Sequence, residues 1–233
     1  MELDRIILEE DVRYAFQPIY DLRTRYIYAY EALMRPQSDT LRSPYDLLRA
    51  AESRSKLDRI ERLTWFQAIG SFMLQRDKNP NAKLFLNSLP NQCMSKEDFA
   101  LINKMYGDRL DWLVMETTEN AQIDSESEKI KSEWCNIHEV STALDDFGSG
   151  YSNTSTLMAR RYEFVKLDMS LVRNIHESPS QQTLVTGIIG YCHDNNINVI
   201  AEGIETQDEL EVIVGLGVDF GQGYLLGKPQ MEL

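Results

Sequence analysis

Positive charge is scarce in this chain. Lys and Arg total 24 against 37 Asp and Glu, which leaves a formal net charge of −13 and a pI near 4.7. Such a field repels polyanions, which excludes general binding to a nucleic-acid polymer or an anionic bilayer; any phosphate ligand needs local cations. Cysteine is thin as well. Cys93, Cys135 and Cys192 contain no C-x-x-C pair, which argues against a disulfide framework or a thiolate metal centre and fits a reducing cytoplasm. Histidine is limited to His138, His176 and His193, with no mutual spacing suited to a metal, so surface or core roles are expected for all three. No basic segment leads into an apolar run, and no apolar stretch nears the ~18 residues of a membrane span. Missing too are a Pro/Gly/Ser-rich linker and an internal repeat. The expectation is one domain over residues 1–233.

What is present is an ordinary globular composition, 42% hydrophobic, enough for a sizeable core. Eight short runs read as strands, being rich in β-branched and aromatic residues: AFQPIY, YIYAYEALM, KLFLNS, WLVMETT, TALDD, FVKLD, NVIAEG and VDFGQG. Between them lie helical patterns: SPYDLLRAAESR, LDRIERLTWFQAIGSFMLQ, SESEKIKSEWCNIHEV, QQTLVTGIIGYCHDN and TQDELEVIVGLG. In the second, Leu57, Ile60, Leu63, Phe66, Ile69 and Met73 recur at threes and fours, the stripe of a core-facing helix. Trp65 and Trp134 fall on apolar helix faces and are expected in the core, whereas SESEKIKSE reads as a solvated face with Glu128 near Lys131. Strand–helix alternation predicts a (β/α)8 barrel of TIM type. Only DLRTR separates the first two strands, too little for a crossover helix, so these must pair antiparallel. The predicted fold is α/β, a modified TIM-type barrel with an antiparallel first strand.

Polar residues cluster where those strands end. Glu31, Asn87, Glu116, Asp145 with Asp146, Lys166 with Asp168, Glu202 and Gln222 each fall at or near a predicted carboxyl end. In a parallel barrel those ends converge on one face. A single strand-end carboxylate is ordinarily a helix cap or a solvated loop residue; seven strands repeating the placement is a different observation. The stretch TALDDFGSG sets two carboxylates side by side in an already acidic chain, and neither stays ionised easily without a cation. Glu31, Asn87, Glu116, Asp145, Asp146 and Glu202 offer oxygen alone, the preference of Mg²⁺ or Mn²⁺. Two such ions would offset most of the charge, and metals paired ~3.5–4 Å apart serve phosphodiester hydrolysis by generating hydroxide and stabilising attacking and leaving oxygens. FGSG allows a tight turn beside them.

At this point the motifs resemble a known family. YEALMR (residues 30–35) is similar to the signature of EAL domains, bacterial phosphodiesterase modules that linearise cyclic di-GMP to pGpG. FQPIYDLRT, LFLNSLP, METTE, LDDFGSGYS, VKLD, AEGIET and GQGYLLGKP follow in the family's order across essentially the whole chain. The resemblance implies metal ligation by Glu31, Asn87, Glu116, Asp145 and Asp146, with two Mg²⁺ or Mn²⁺ ions and inhibition by Ca²⁺. It implies that Lys166 holds the nucleophilic water or the phosphate, that Glu202 serves the metal site or accepts a proton, and that Gln222 hydrogen-bonds water and the metal shell. Arg35 resembles a phosphate-contacting arginine, while Gln17, Leu33, Asp168 and Glu205 match ligand-contacting positions. Glu119 resembles an anchor for the loop over residues 147–152, expected to couple metal binding to dimerisation. A homodimer, a cytoplasmic location, a role in motility or biofilm control and an unidentified regulatory protein are further implications.

Departures are few. Ser149 stands where Thr is usual, and Thr117, Leu167 and Ile204 occupy positions expected to be packing. No implied ligand is replaced, which favours an active enzyme over two other readings: a cyclic di-GMP receptor without turnover, or a protein-interaction adaptor. Tyr151 and Tyr224 are each suited to stack on guanine or to fill a loop.

Overall fold

The computed structural model describes residues 2–118, 125–149, 157–158 and 160–233. Eight strands close a barrel in sequence order: β1 (Val12–Asp21), β2 (Ile27–Pro36), β3 (Lys83–Asn87), β4 (Leu113–Thr118), β5 (Ser141–Phe147), β6 (Phe164–Leu167), β7 (Asn198–Ala201) and β8 (Phe220–Gly221). Strand β1 runs antiparallel to both its neighbours, β2 and β8, and the remaining pairs are parallel. The short connection after β1 therefore has the expected consequence: the amino end of β1 shares a rim with the carboxyl ends of β2 to β8.

Helices α1 (Glu2–Glu9), α2 (Pro44–Glu52), α3 (Leu57–Met73), α4 (Lys96–Tyr106), α5 (Glu126–Ile137), α6 (Met169–Val172), α7 (Pro179–Asp194) and α8 (Gln207–Gly215) surround the sheet. Helices α1, α4 and the four-residue α6 lie outside the predicted set. Helix α4 carries a legible start, since Ser95 Oγ accepts from Asp98 N and Phe99 and Ile102 face inward. The stripe on α3 is real but wider than its periodicity suggests: Ile60, Leu63 and Ile69 are buried together with Trp65, Ala68 and Phe72. Trp65 and Trp134 meet edge to face at 5.6 Å in this outer core. Thr117, Leu167 and Ile204 are buried, as packing positions should be.

Helix α5 corrects one expectation. Glu128 and Lys131 do not belong to a solvated face; each is 1% exposed, and Lys131 Nζ lies 2.5 Å from Glu128 Oε1. Lys131 also donates to Ser88 Oγ and the Leu89 carbonyl, both at 3.1 Å, and Glu128 accepts from Asn91 N at 3.1 Å. Buried Glu61 completes the cluster by accepting from Ser88 Oγ at 2.6 Å and Leu89 N at 2.8 Å. Two carboxylates and one ammonium thus hold the turn that leaves β3, so Glu128 and Lys131 serve the loop after Asn87, while Glu126, Lys129 and Glu133 of the same stretch are exposed as expected. Periodicity cannot distinguish these roles because both place Glu128 and Lys131 on one helix face.

Candidate active site

The barrel interior is built in two layers related by a step of two residues. The lower layer is apolar: Ile19, Ala29, Phe85, Val114, Ala143, Phe164, Ile200 and Phe220 pack together at its centre. Two residues further toward the rim on each strand or its immediate extension stand Gln17, Glu31, Asn87, Glu116, Asp145, Lys166, Glu202 and Gln222. Side chains two apart share a face, so every strand carries one floor residue and one polar residue above it. A floor of buried apolar side chains strengthens the electrostatics of the layer it supports.

Lys166 is at the centre. Its Nζ lies 2.6 Å from Glu116 Oε1, 2.9 Å from Asp145 Oδ1, 2.9 Å from Glu202 Oε1 and 3.3 Å from Glu31 Oε2. Burial works against the ammonium, yet Asp145, Glu116, Glu202 and Glu31 outweigh it and hold its pKa well above the ordinary lysine range. The carboxylates shift as well. Burial pushes Glu116 well above the usual range against the opposing pull of Lys166, and burial raises Glu202 to about 8, with Asp145 and Glu31 adding to the effect. Asp146 is pushed up to about 6 by burial and by the charge of Asp145.

Amides tie the ring together. Gln222 Nε2 donates to Glu31 Oε2 at 2.7 Å and to Gln17 Oε1 at 3.1 Å; Asn87 Nδ2 donates to Glu31 Oε1 at 3.3 Å; Gln17 Nε2 donates to the Gly227 carbonyl at 3.1 Å.

The adjacency of Asp145 and Asp146 has a backbone explanation. Successive residues of a regular strand point to opposite faces, but Asp146 has φ 57° and the β5–β6 register shifts between Leu144 and Phe147. This left-handed residue brings both carboxylates into one cluster, in which oxygens of Asp145, Asp146 and Glu202 lie within 4.8 Å of one another. Gly148 follows at φ 103°, and a Cβ there would come within 2.3 Å of Leu171. Only glycine makes this turn.

A cleft of about 400 Å³ opens above the polar layer, and Gln17, Glu31, Leu33, Asp145, Asp146, Lys166, Asp168, Glu202, Glu205 and Gln222 all line it. Asn87 and Glu116 stand in the same polar layer without lining the cleft. Arg35 lies one further step of two beyond Leu33 on β2. Asp168 also caps α6, accepting from Ser170 N at 3.0 Å. Tyr224 is an exposed ring at the cleft edge. Glu119 and Tyr151, and the loop beyond Ser149, lie outside the described residues. Sequence reasoning missed Arg173, which binds Glu205 through both guanidinium nitrogens at 2.5 and 2.7 Å; nothing in its spacing pointed there. A larger depression of about 740 Å³ beside α1 is lined by charges that neutralise one another, Asp4 with Lys56 and Arg54 and Glu10 with Arg62.

The donor set suits hard divalent cations: it is all oxygen, and Glu116 Oε2 is buried without a hydrogen-bond donor among the described residues. The three histidines stay outside it. His138 contacts Asn103 and the Asp108 carbonyl, His193 contacts Asp219, and His176 lies near Glu177. The cysteines are free thiols. Among the described residues, no helix is long and apolar enough to cross a membrane.

Comparison with known proteins agrees with this architecture. A cyclic di-GMP phosphodiesterase of Pseudomonas aeruginosa, PA2567, is 29% identical over 231 residues, covering 96% of this chain and 39% of its own length. The Escherichia coli cyclic di-GMP phosphodiesterase PdeL is 34% identical over 135 residues, covering 58% of this chain and 37% of its own. The chain thus spans less than two-fifths of the length of these relatives. The blue light- and temperature-regulated antirepressor BluF of E. coli is 26% identical over 240 residues, covering 99% of this chain and 58% of that protein. Among solved structures, a standalone EAL protein from Vibrio cholerae in its c-di-GMP-bound form superposes with a TM-score of 0.81 at 30% identity, covering 96% of this chain and 94% of that one. Klebsiella pneumoniae BlrP1, as a manganese and cy-diGMP complex, superposes with a TM-score of 0.82 at 26% identity, covering 94% of this chain and 56% of that one. The family model of the EAL domain matches residues 2–229, and the chain belongs to the EAL domain family.

Proposed function

We propose that this chain is a divalent-metal-dependent phosphodiesterase that hydrolyses cyclic di-GMP to linear pGpG, and that residues 1–233 act as one catalytic domain. The observation that carries this reading is the polar layer itself, in which Lys166 stands within 3.3 Å of four carboxylates over an apolar floor. Glu31, Asn87, Glu116, Asp145 and Asp146 would hold two Mg²⁺ or Mn²⁺ ions, with Glu202 beside them. Such ions, when bound, would lower the pKa of water and screen the charge of a phosphodiester.

The chain's own groups do the rest. Lys166 Nζ offers positive charge and donors where charge grows on the phosphoryl oxygens. Glu202, with Oε1 2.9 Å from Lys166 Nζ, would take a proton from the attacking water once bound cations hold it ionised. Water oxygen bonds to phosphorus, the P–O3′ bond breaks, and the 3′ oxygen leaves with a proton as the ring opens to a 5′-phosphate. Gln222 holds Glu31 in place by donating to it and also donates to Gln17, Arg35 meets a phosphodiester of the ligand with its planar fork, and Leu33, Asp168 and Glu205 shape the cleft around the ligand.

Ca²⁺, with longer bonds and looser geometry, would support binding without turnover. A homodimer would use the apolar groove that begins at Phe147 beside the DDFG turn and continues over Leu157, Leu184 and Ile188. The reading places the protein in the cytoplasm, where it would lower a second messenger that controls motility or biofilm formation.

A second reading has one observation in its favour: BluF, similar over almost the whole chain, is an antirepressor by name. Chromatography of cyclic di-GMP incubated with the protein and Mg²⁺ or Mn²⁺, with Glu31→Ala in parallel, separates the two. Appearance of pGpG with the parent alone supports the enzyme. Intact nucleotide that is nevertheless bound, as measured in Ca²⁺, points to a receptor; neither binding nor cleavage points to an adaptor.

A further inference from the structure

In a chain with 37 acidic side chains against 24 basic ones, two arginines face each other without a carboxylate between them. Arg13 on β1 and Arg35 on β2 are direct cross-strand partners. Side chains so placed share one face with Cβ atoms roughly 4.5–5.5 Å apart, and like charges there repel. Neither forms an ion pair among the described residues. Arg35 Nη1 donates to the Met34 carbonyl at 2.9 Å, and Arg13 is exposed. Other arginines near this end of the chain are matched by acids, as Arg5 is by Glu2, Glu9 and Asp11 and Arg62 by Glu10 and Asp98.

The face these arginines occupy is that of the site. The β1–β2 register runs unbroken from Gln17–Glu31 through Ala15–Leu33 to Arg13–Arg35, since its one shift lies at Ile19/Tyr20. Gln17, Glu31 and Leu33 line the cleft. The alternate residues Tyr14 and Phe16 belong to the outer core, where Phe16 meets Phe72 at 6.1 Å. At about 3.3 Å per residue, the arginine pair stands roughly 13 Å up the strands from the Gln17–Glu31 rung and about 7 Å beyond Leu33, the last cleft-lining residue of β2, so a ligand that extends past Leu33 meets it. Only β1 running antiparallel places Arg13 on this rim.

We propose that Arg13 is a substrate-contacting residue that works with Arg35 as a two-guanidinium clamp for the phosphodiester of the ligand that is not being cleaved. This rests on the reading above, in which the ligand is a cyclic dinucleotide with two phosphodiesters, one over Lys166 and the other nearer the rim. Two forks converging on one anion turn their mutual repulsion into charge-assisted hydrogen bonds. Recognition of the second phosphodiester would also separate this substrate from esters that carry one.

The test is steady-state hydrolysis of cyclic di-GMP and of bis(4-nitrophenyl) phosphate, a diester with a single phosphorus, by the parent, Arg13→Ala and Arg13→Lys in Mn²⁺. Arg13→Ala should raise KM for cyclic di-GMP about tenfold, the size expected on losing a hydrogen bond to a charged group. It should lower the preference for cyclic di-GMP over the single diester by a similar factor, and Arg13→Lys should restore part of both. An unchanged KM and preference in Arg13→Ala, with the parent active, overturns the clamp and leaves the phosphodiesterase reading intact. A parent that neither binds nor cleaves cyclic di-GMP overturns both.

Discussion

Lys166 Nζ lies 2.6 Å from Glu116 Oε1, with the lysine 1% and the glutamate carboxylate 0% exposed. Neither charge is tolerable there alone, because an unpaired buried ion carries a desolvation cost of several kcal/mol. Lys166→Met should therefore abolish measurable hydrolysis and lower the melting temperature of metal-free protein. Excess Mn²⁺ should recover much of that melting temperature without recovering turnover. Calorimetry with and without Mn²⁺, beside an activity assay, checks both halves; a variant that keeps turnover would remove Lys166 from the chemistry.

The raised carboxylates predict how stability varies with pH. Asp146 near 6 and Glu202 near 8 stand above their unfolded values near 4, so between those limits the folded protein binds more protons than the unfolded chain. Linkage then makes the metal-free protein lose stability as pH rises from about 4 to about 8. Saturating Mg²⁺ should flatten this slope, and metal binding at pH 6 should release protons. Urea unfolding across pH and calorimetric titration in buffers of different ionisation enthalpy measure the two effects. A metal-free stability that climbs from pH 5 to pH 8 would contradict the assignment.

Helix α5 offers a cleaner stability test because it lies away from the cleft. Lys131→Met leaves Glu61 buried without its cation and Glu128 with only Arg160, whose Nη1 lies 3.4 Å from Glu128 Oε2, and should destabilise by about 3 kcal/mol. Combining it with Glu128→Leu should recover part of the loss, since an ion pair replaced by apolar side chains can be nearly neutral. Equilibrium denaturation of the two single variants and the double variant gives the coupling directly; strict additivity would show that the pair is not a unit.

Gly203 is held at φ 67°, and a Cβ on it would approach Met169 Cβ to 2.5 Å. Gly203→Ala should cost about 1–3 kcal/mol through left-handed strain alone, with the crowding of Met169 added. Because Glu202 precedes it, activity should fall along with stability. Thermal melts and kcat measured together test this, and a neutral substitution would mean that the turn relaxes freely.

Much of this protein was written along the chain. A step of two residues sets a floor residue such as Val114 beneath a polar residue such as Glu116, and the same step recurs at Phe85 and Asn87, Phe164 and Lys166, and Ile200 and Glu202. Strand periodicity is local, so it can be read without a fold. The connection DLRTR was equally decisive, because so few residues permit a hairpin and no crossover. Helix α4 could have been read from its Ser95 cap and the spacing of Phe99 and Ile102; its signal was present and passed over.

Other features belong to the tertiary structure alone. Sequence order says nothing of how Lys166 falls among Glu31, Glu116, Asp145 and Glu202, which come from four other strands and meet only when the barrel closes. The burial of Lys131 with Glu128 was hidden because a helix face looks the same whether it meets water or the turn after β3. Arg13 faces Arg35, and Arg173 grips Glu205, through contacts set by register and by packing between distant segments. What the sequence by itself determined was the alternation within each strand and the kinds of atoms offered to the site, both being properties of neighbours along the chain. Which charges share a cavity, and how far each pKa moves, was decided by closure of the barrel, because Coulomb energy and desolvation depend on distance through space.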